Sequence, residues 1–128
     1  MFMAARASLN ILLVEDHFST RIAMDLWLTQ IGHEVTAVET VAAALAVAQK
    51  TKIDLIVSDI ALPDGDGREL LREIRKHREV PAIAISGNAG PDQKLLSLMA
   101  GYAVHFEKPV NLDELTKFLD TVAPNLDV

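Results

Sequence analysis

The feature that most constrains the fold is an apolar run that ends in a carboxylate. Residues Ile53 to Asp59 have the sequence Ile-Asp-Leu-Ile-Val-Ser-Asp, with no charge between Asp54 and Asp59. A run of this length, rich in β-branched residues, predicts a strand buried on both faces of a parallel sheet. Pro63 and Gly65 follow and force the backbone to turn. We therefore expect Asp59 at the carboxyl end of a buried strand, where open α/β sheets keep their ligand sites.

Predicted strands and helices alternate along the rest of the chain. Hydrophobic patterns predict the other strands at residues 9–14, 33–38, 82–85 and 102–106, and helices at about 20–30, 41–50, 67–77, 92–100 and 112–122. Five strands that alternate with five helices predict an α/β fold of the (βα)5 type. Its five-stranded parallel sheet is doubly wound, with helices on both faces and right-handed crossovers.

Helix boundaries are marked by capping residues. Ser19 or Thr20 is the predicted N-cap of the first helix, Thr40 of the second and Asp66 of the third. Residues 111–114 have the form of a capping box before the fifth helix. In the first helix, five apolar residues fall at helical spacing: Ile22, Ala23, Leu26, Trp27 and Ile31. Gly101 is expected to end the fourth helix.

Composition narrows the classes of function. The 128 residues suit one domain, for which we expect a frayed segment at 1–8, a folded domain at 9–123 and a tail at 124–128. The net charge of −6 and the lack of a basic patch argue against direct nucleic-acid binding. Without cysteine, disulfides and thiolate metal sites are excluded. No apolar run reaches the ~18 residues of a membrane span, so we expect no membrane insertion and a cytoplasmic location.

Polar residues gather where the predicted strands end. Glu15 and Asp16 follow the first strand, Asp59 ends the third, Ser86 ends the fourth and Lys108 follows the fifth. Carboxylates about 4 Å apart repel by roughly 4 kcal/mol at an effective dielectric near 20, so three together are costly unless a cation lies among them or the pKa of one rises. Lys108 offsets one charge, and Mg²⁺ suits an all-oxygen site that also binds a phosphoryl group. A carboxylate is then the expected nucleophile.

This ordered set resembles the receiver domain of two-component response regulators, over about residues 9–122. The resemblance rests on the acid pair Glu15-Asp16, on Asp59, on the Leu-Pro-Asp-Gly-Asp-Gly segment at 62–67, on Ser86 and on Lys108-Pro109. Each motif alone is weak, whereas the set in this order is highly specific. It implies a flavodoxin-like sheet with strand order 2-1-3-4-5.

The resemblance also implies roles for individual residues. Asp59 would accept a phosphoryl group, and Lys108 would pair with that group. Asp16, Asp59 and the backbone carbonyl of Ala61 would bind Mg²⁺, with Glu15 acting partly through water. Two switch residues would respond to phosphorylation. They are Ser86, and His105 at a position where the family often has Tyr or Phe.

Partners follow from the same resemblance. A histidine kinase or a histidine phosphotransfer protein would supply the phosphoryl group, and a downstream protein would contact the fourth helix, fifth strand and fifth helix. That face is also where a homodimer is possible. The chain would be a phosphoacceptor switch and not an enzyme, with at most self-phosphorylation from small phosphodonors and autodephosphorylation. It would be either a stand-alone regulator or the receiver of a larger hybrid protein.

Three other functions are weaker interpretations. A haloacid-dehalogenase-like phosphatase needs a second acid at position 61, where this chain has Ala61. A degenerate receiver is disfavoured because the set of site residues is complete, and a flavodoxin-like cofactor binder is disfavoured because this chain has no phosphate-cradling loop after the first strand.

Three histidines are interpreted as surface residues: His17, His33 and His77. Four apolar residues of the fourth helix are expected to lie partly in the core and partly on a partner surface: Leu95, Leu96, Leu98 and Met99.

Overall fold

A computed structural model describes residues 8–88 and 90–122. The predicted frayed N-terminus, apart from Ser8, and the predicted C-terminal tail lie outside the described residues. The domain boundaries at 9 and 123 therefore stay predictions.

The described chain contains five main strands and five helices. The strands are β1 (Asn10–Val14), β2 (Glu34–Val38), β3 (Leu55–Asp59), β4 (Ala82–Ser86) and β5 (Val104–Glu107). The helices are α1 (Phe18–Gln30), α2 (Val41–Lys50), α3 (Gly67–Arg75), α4 (Pro91–Ala100) and α5 (Leu112–Val122). Between β3 and α3, Ala61–Leu62 pairs with Gly65–Asp66 in a short antiparallel ribbon that the sequence did not predict.

All five main strands form one parallel sheet in the order β2-β1-β3-β4-β5. The predicted fold class and the strand order 2-1-3-4-5 are confirmed. The strand register places Val14 beside Ser58, Asp59 beside Ile85, and Ser86 beside Glu107. The carboxyl ends of the three central strands therefore meet at one edge of the sheet.

The core consists of two apolar layers, one on each face of the sheet. Leu12 and Val14 of β1 belong to the layer under α2 and α3, whereas Ile11 and Leu13 belong to the layer under α1 and α5. This division follows from the alternation of side chains along a strand. Each fully buried aliphatic side chain contributes roughly 1.5–3 kcal/mol. The two layers bury the central strands on both faces up to the edge where these strands end.

The start of α1 differs from the prediction. The helix begins at Phe18, and the N-cap position is His17, whose side chain makes no capping hydrogen bond. Ser19 and Thr20 lie inside the first turn, so their prediction as caps is wrong. The physical reason is the preceding acid pair, because the Glu15 carboxylate accepts the His17 N–H at 3.0 Å and closes the turn two residues before Ser19.

The buried side of α1 is also shifted from the predicted stripe. Met24 and Leu28 are buried against the sheet, whereas Ile22 and Leu26 are exposed. Trp27 lies half-buried at the edge of the α1–α5 layer. Helical spacing alone did not distinguish the Ile22–Leu26 stripe from the Met24–Leu28 stripe, which is offset by two residues.

The other helix ends agree with the sequence signals. The side chains of Thr40, Asp66 and Asn111 accept backbone N–H groups of the first turns that follow them. Gly101 ends α4 with a φ of +115°, a conformation that favours glycine. The local capping chemistry was therefore readable from the sequence.

Two predictions about burial are wrong. His33 is only 3% exposed, and its Nδ1 accepts the Leu9 N–H at 3.0 Å, so it is part of the interior and not of the surface. The apolar residues 95, 96, 98 and 99 of α4 are all exposed, and none belongs to the core. Ser97 and Ala100 form the buried side of α4 instead. His77 is exposed, as predicted.

Asp64 connects the loop after β3 to the start of α2. Its two carboxylate oxygens accept the Val41 N–H at 2.7 Å and the Ala42 N–H at 3.0 Å. These backbone hydrogen bonds lower the pKa of Asp64 from its usual 3.8. The loop residue therefore caps a helix 22 or 23 residues earlier in the chain.

Replacing Asp64 with alanine is expected to lower stability at neutral pH, because two N–H groups of α2 lose their acceptor. A carboxylate with a lowered folded pKa contributes stability above its unfolded pKa and loses it as the pH falls through the folded value. The difference between wild type and Asp64→Ala should thus shrink below pH 3.8. Urea unfolding at several pH values measures this, and a constant difference would contradict it.

Candidate functional site

Three side chains meet at the edge where the central strands end. The Lys108 ammonium lies 2.8 Å from Asp59 Oδ2 and 2.7 Å from Glu15 Oε1. Glu15 is fully buried, and Asp59 is 4% exposed. One cation therefore bridges two buried carboxylates from different strands. The other carboxylate oxygen of Asp59, Oδ1, accepts the Ala61 N–H at 3.2 Å.

Backbone pairing explains why these residues meet. The Glu15 N–H continues the β1–β2 ladder through the Val38 carbonyl at 2.9 Å. The Lys108 N–H continues the β4–β5 ladder through the Ser86 carbonyl, also at 2.9 Å. Each residue thus extends its strand by one position and points its side chain across the sheet edge. The Arg21 guanidinium holds the acid-pair loop by hydrogen bonds to the carbonyls of Glu15 and Asp16.

The charge on Lys108 is maintained by its two partners. Burial lowers the pKa of Lys108, but hydrogen bonds to Asp59 and Glu15 outweigh burial and raise that pKa above its usual 10.5. The lysine is therefore a permanent ammonium at neutral pH. Two buried carboxylates against one ammonium leave excess negative charge at this edge of the sheet.

Asp16 adds a third carboxylate to this cluster. Its Oδ1 is buried and accepts no hydrogen bond from the part of the chain that the structure describes. Ligand atoms of Glu15, Asp16, His17 and Asp59 all lie within 4.8 Å of one another. A buried carboxylate oxygen without a hydrogen bond, beside uncompensated negative charge, fits a divalent cation. The residues present are therefore suited to Mg²⁺.

Ala61 and Gly67 shape the backbone beside Asp59. Ala61 is exposed and contributes its N–H to the Asp59 carboxylate. The Gly67 N–H donates to the Ile60 carbonyl at 2.8 Å, and a Cβ at position 67 would overlap the Asp59 carbonyl oxygen. The buried Tyr102 hydroxyl donates to the Gly67 carbonyl at 2.6 Å. The end of β3 is thus packed tightly from two sides.

Replacing Gly67 with alanine is expected to destabilise the fold by about 1–3 kcal/mol, the usual cost of overpacking. The added Cβ would overlap the Asp59 carbonyl oxygen, which is backbone and cannot rotate away. Gly87→Ala is the matched control, because a Cβ there meets nothing within 4 Å. Urea unfolding of both variants tests this, and equal effects would rule out the steric explanation.

The predicted switch residues lie outside the acid cluster. The Ser86 hydroxyl donates to the Asn88 carbonyl and accepts the Asn88 N–H, both at 3.0 Å, so it is engaged with its own loop. His105 is buried under α4, and its Nδ1 lies 2.9 Å from the Ser97 hydroxyl. Phe106 packs in the opposite layer, as strand alternation predicted. The structure thus brings together Glu15, Asp16, Asp59 and Lys108, but not Ser86 or His105.

His105 has an electrostatic environment that favours its neutral form. Burial lowers the pKa of His105, and the nearby cations Arg68 and Lys94 lower that pKa further, against the opposing effect of Asp59 and Glu107. Its Nε2 is buried and makes no hydrogen bond within the described residues. The ring is therefore an uncharged link between β5 and α4.

Sequence reasoning missed Ser97 as the partner of His105. The available signal was a lone hydroxyl within the apolar second half of α4, which is typical of a buried hydrogen-bonding residue. It also missed Arg68, which connects α3 to α4 through the Gln93 side chain at 2.6 Å. Neither contact is visible in local sequence patterns, because each joins separate elements.

The fold and the site together define a doubly wound α/β protein with carboxylates and a lysine at the carboxyl edge of its sheet. Residues 11–120 match the response regulator receiver domain. The chain belongs to this family of two-component signalling domains. The resemblance to receiver domains that the sequence indicated is therefore confirmed.

Individual relatives agree with this assignment. The KDP operon transcriptional regulatory protein KdpE of Escherichia coli is 37% identical over 106 residues, which are 83% of this chain and 47% of KdpE. The chain thus spans about half the length of that relative. An uncharacterized 14.6 kDa protein of Leptolyngbya boryana is 32% identical over 120 residues, which are 91% of this chain and 92% of that protein.

A solved structure shows the same architecture. The receiver domain of sensor histidine kinase PA1611 from Pseudomonas aeruginosa, with magnesium coordinated in its active-site cleft, superposes with a TM-score of 0.83 at 33% identity. The match covers 92% of this chain and 99% of that one. Within the described ranges, no helix has the length and hydrophobicity of a membrane span.

Proposed function

We propose that Asp59 is the phosphoacceptor of this receiver domain. The observation that carries the proposal is the Asp59 carboxylate at the end of β3, with one oxygen on Lys108 at 2.8 Å and the acid pair beside it. Receiver domains take their phosphoryl group from histidine kinases. A carboxylate oxygen of Asp59 would attack the phosphorus of a phosphohistidine, and the P–N bond to the imidazole would break. The donor is a histidine kinase or a histidine phosphotransfer protein.

The Mg²⁺ ion would be held by Asp16, Asp59 and the Ala61 carbonyl, and Glu15 would bind it partly through water. When bound, the ion neutralises charge on the phosphoryl oxygens as they approach three carboxylates. Lys108 would pair with a phosphoryl oxygen, because its ammonium already lies between the two buried carboxylates. Apart from self-phosphorylation and autodephosphorylation, the chain would act as a switch and not as an enzyme.

Phosphorylation would change the partners of Ser86 and His105. Ser86 would exchange its Asn88 contacts for a phosphoryl oxygen, which draws the loop after β4 toward Asp59. His105 would respond through Ser97, which connects its ring to α4. In this chain the usual aromatic switch side chain would thus be replaced by a hydrogen-bonded imidazole.

The surface that changes would be the α4–β5–α5 face. It carries exposed apolar side chains, among them Leu95 at 56% and Met99 at 72% exposure. Apolar patches of this kind are typical of interfaces. A downstream protein partner, or a second copy in a homodimer, would contact this face. The acidic net charge supports a protein and not a nucleic acid as the target. A cytoplasmic location belongs to the same proposal.

The test is intact-mass measurement after incubation with acetyl phosphate and Mg²⁺. One added phosphoryl group is expected, mapped to Asp59 by peptide mass spectrometry and absent when the metal is chelated. Persistent absence of an adduct, together with no structural response to beryllofluoride, would contradict the proposal, because that mimic does not hydrolyse on the time scale of the measurement.

A further inference from the structure

His17 lies beside the acid cluster without a role in the proposed phosphorylation. Its side chain is 72% exposed, and its Nδ1 lies 3.6 Å from Glu15 Oε2 and 3.7 Å from Asp16 Oδ1. The sequence favoured a plain solvent-facing histidine at this position. The structure shows that the ring is exposed and that its nitrogen nevertheless faces both carboxylates.

These distances suit two ligands of the same ion. Ligand atoms about 2.1 Å from one metal lie about 3.0–4.2 Å apart, depending on the angle between them. Both His17 distances fall in this range, and the ligand atoms of all four cluster residues lie within 4.8 Å. Small side-chain movements would bring the imidazole and the carboxylates onto one cation.

The backbone leaves the His17 ring available. His17 is the N-cap residue of α1, but its side chain makes no capping hydrogen bond. Its N–H is anchored to Glu15 Oε2 at 3.0 Å, which fixes the position of its Cα beside the cluster. Asp16 Oδ1 is buried and accepts no hydrogen bond from the described chain, whereas Glu15 Oε1 lies 2.7 Å from the Lys108 ammonium.

The chemistry of the ligand atoms determines which metal ions bind more tightly because of His17. Mg²⁺ prefers oxygen ligands and gains little from an imidazole, whereas Zn²⁺, Co²⁺ and Ni²⁺ bind imidazole well. Their affinity for a mixed nitrogen and oxygen site also exceeds that of the hard cations. An imidazole next to two carboxylates therefore raises the affinity for Zn²⁺, Co²⁺ and Ni²⁺ relative to Mg²⁺ at a site otherwise suited to Mg²⁺.

We infer that this site binds borderline divalent cations of the Zn²⁺ class through His17 Nδ1 together with Asp16 and Asp59. Such an ion competes with Mg²⁺, so His17 determines the metal specificity of the receiver. The inference rests on the proposed function, because it uses the same metal site. It assigns to His17 a binding role that phosphorylation with Mg²⁺ does not require.

The test is calorimetric titration of Zn²⁺ and, separately, Mg²⁺ into wild type and His17→Ala at one fixed, mildly alkaline pH. Zn²⁺ affinity should fall by about tenfold or more in His17→Ala, since a ligand is lost. Mg²⁺ affinity should stay within about twofold, because the imidazole is not a ligand of that ion. Co²⁺ gives a second readout, since its visible absorption bands should change when the nitrogen ligand is removed.

Two further variants make the result specific. His77→Ala removes another exposed histidine, on the segment after α3, and should leave Zn²⁺ binding unchanged. Asp16→Asn should weaken both metals, because it removes a shared carboxylate ligand. Unchanged Zn²⁺ affinity in His17→Ala would overturn the inference, as would an equal loss for Zn²⁺ and Mg²⁺. Mg²⁺-dependent phosphorylation of wild type would then still support the proposed function, so the two failures are distinguishable.

Discussion

Asp59→Asn is expected to take up no phosphoryl group and to be more stable than wild type in Mg²⁺-free buffer. The amide has no nucleophilic carboxylate oxygen, so uptake should be lost completely. At the same time the variant removes one of three clustered negative charges. Two carboxylates about 4 Å apart repel by roughly 4 kcal/mol at an effective dielectric near 20, and Lys108 offsets part of this. We expect a gain of about 1–2 kcal/mol.

The measurements are intact mass with acetyl phosphate and urea unfolding without divalent ions. Asp64→Asn is a suitable control for phosphoryl uptake, because Asp64 lies five residues further along the chain, is exposed and caps α2. It should still be phosphorylated. Phosphoryl uptake by Asp59→Asn would place the acceptor at another residue, and a large loss of stability would show that the carboxylate is structurally required.

Lys108→Met is expected to lower stability by about 3 kcal/mol in Mg²⁺-free buffer. The variant keeps most of the aliphatic stem but leaves Glu15 and Asp59 buried without the cation that lies 2.7 and 2.8 Å from them. Removing one member of a buried ion pair typically costs about 3–5 kcal/mol, and the partial exposure of Lys108 places it at the low end. Mg²⁺ should restore part of the loss, because it binds the folded state and supplies positive charge.

Urea unfolding with and without Mg²⁺ measures both effects. Lys76→Met is the matched control, since Lys76 forms an exposed ion pair with Glu73 at 2.7 Å and should change stability little. The raised pKa of Lys108 means that its stabilisation is fully present below its unfolded pKa of 10.5 and declines only as the pH rises through the folded value. Equal losses in the two lysine variants would contradict the role of Lys108 as a buried counter-ion.

The order of elements and the gathering of polar residues at one edge of the sheet were predictable from local patterns. Buried parallel strands are nearly continuous apolar runs, and their ends are marked by the first polar residue, as at Asp59. Helix caps at Thr40 and Asp66 follow from side-chain chemistry within three residues, so no tertiary information is needed. The meeting of Glu15, Asp59 and Lys108 was also predictable, because the carboxyl ends of parallel strands lie at the same edge of the sheet.

Contacts between distant segments required the tertiary structure. The burial of His33 depends on the Leu9 N–H, 24 residues away, and the capping of α2 by Asp64 depends on a loop that folds back across the sheet edge. The exposed side of α1 was mispredicted because two apolar stripes compete and only packing against the sheet selects one.

The sequence by itself determined the sheet, its strand ends and four of the charged residues that meet there, because periodicity and strand termination are local properties of the chain. Only the tertiary structure decided which polar groups face one another across elements. It pairs His105 with Ser97 beneath α4 and turns the His17 nitrogen toward Glu15 and Asp16. The physical reason is that side-chain direction and burial depend on neighbours that the chain supplies from many residues away.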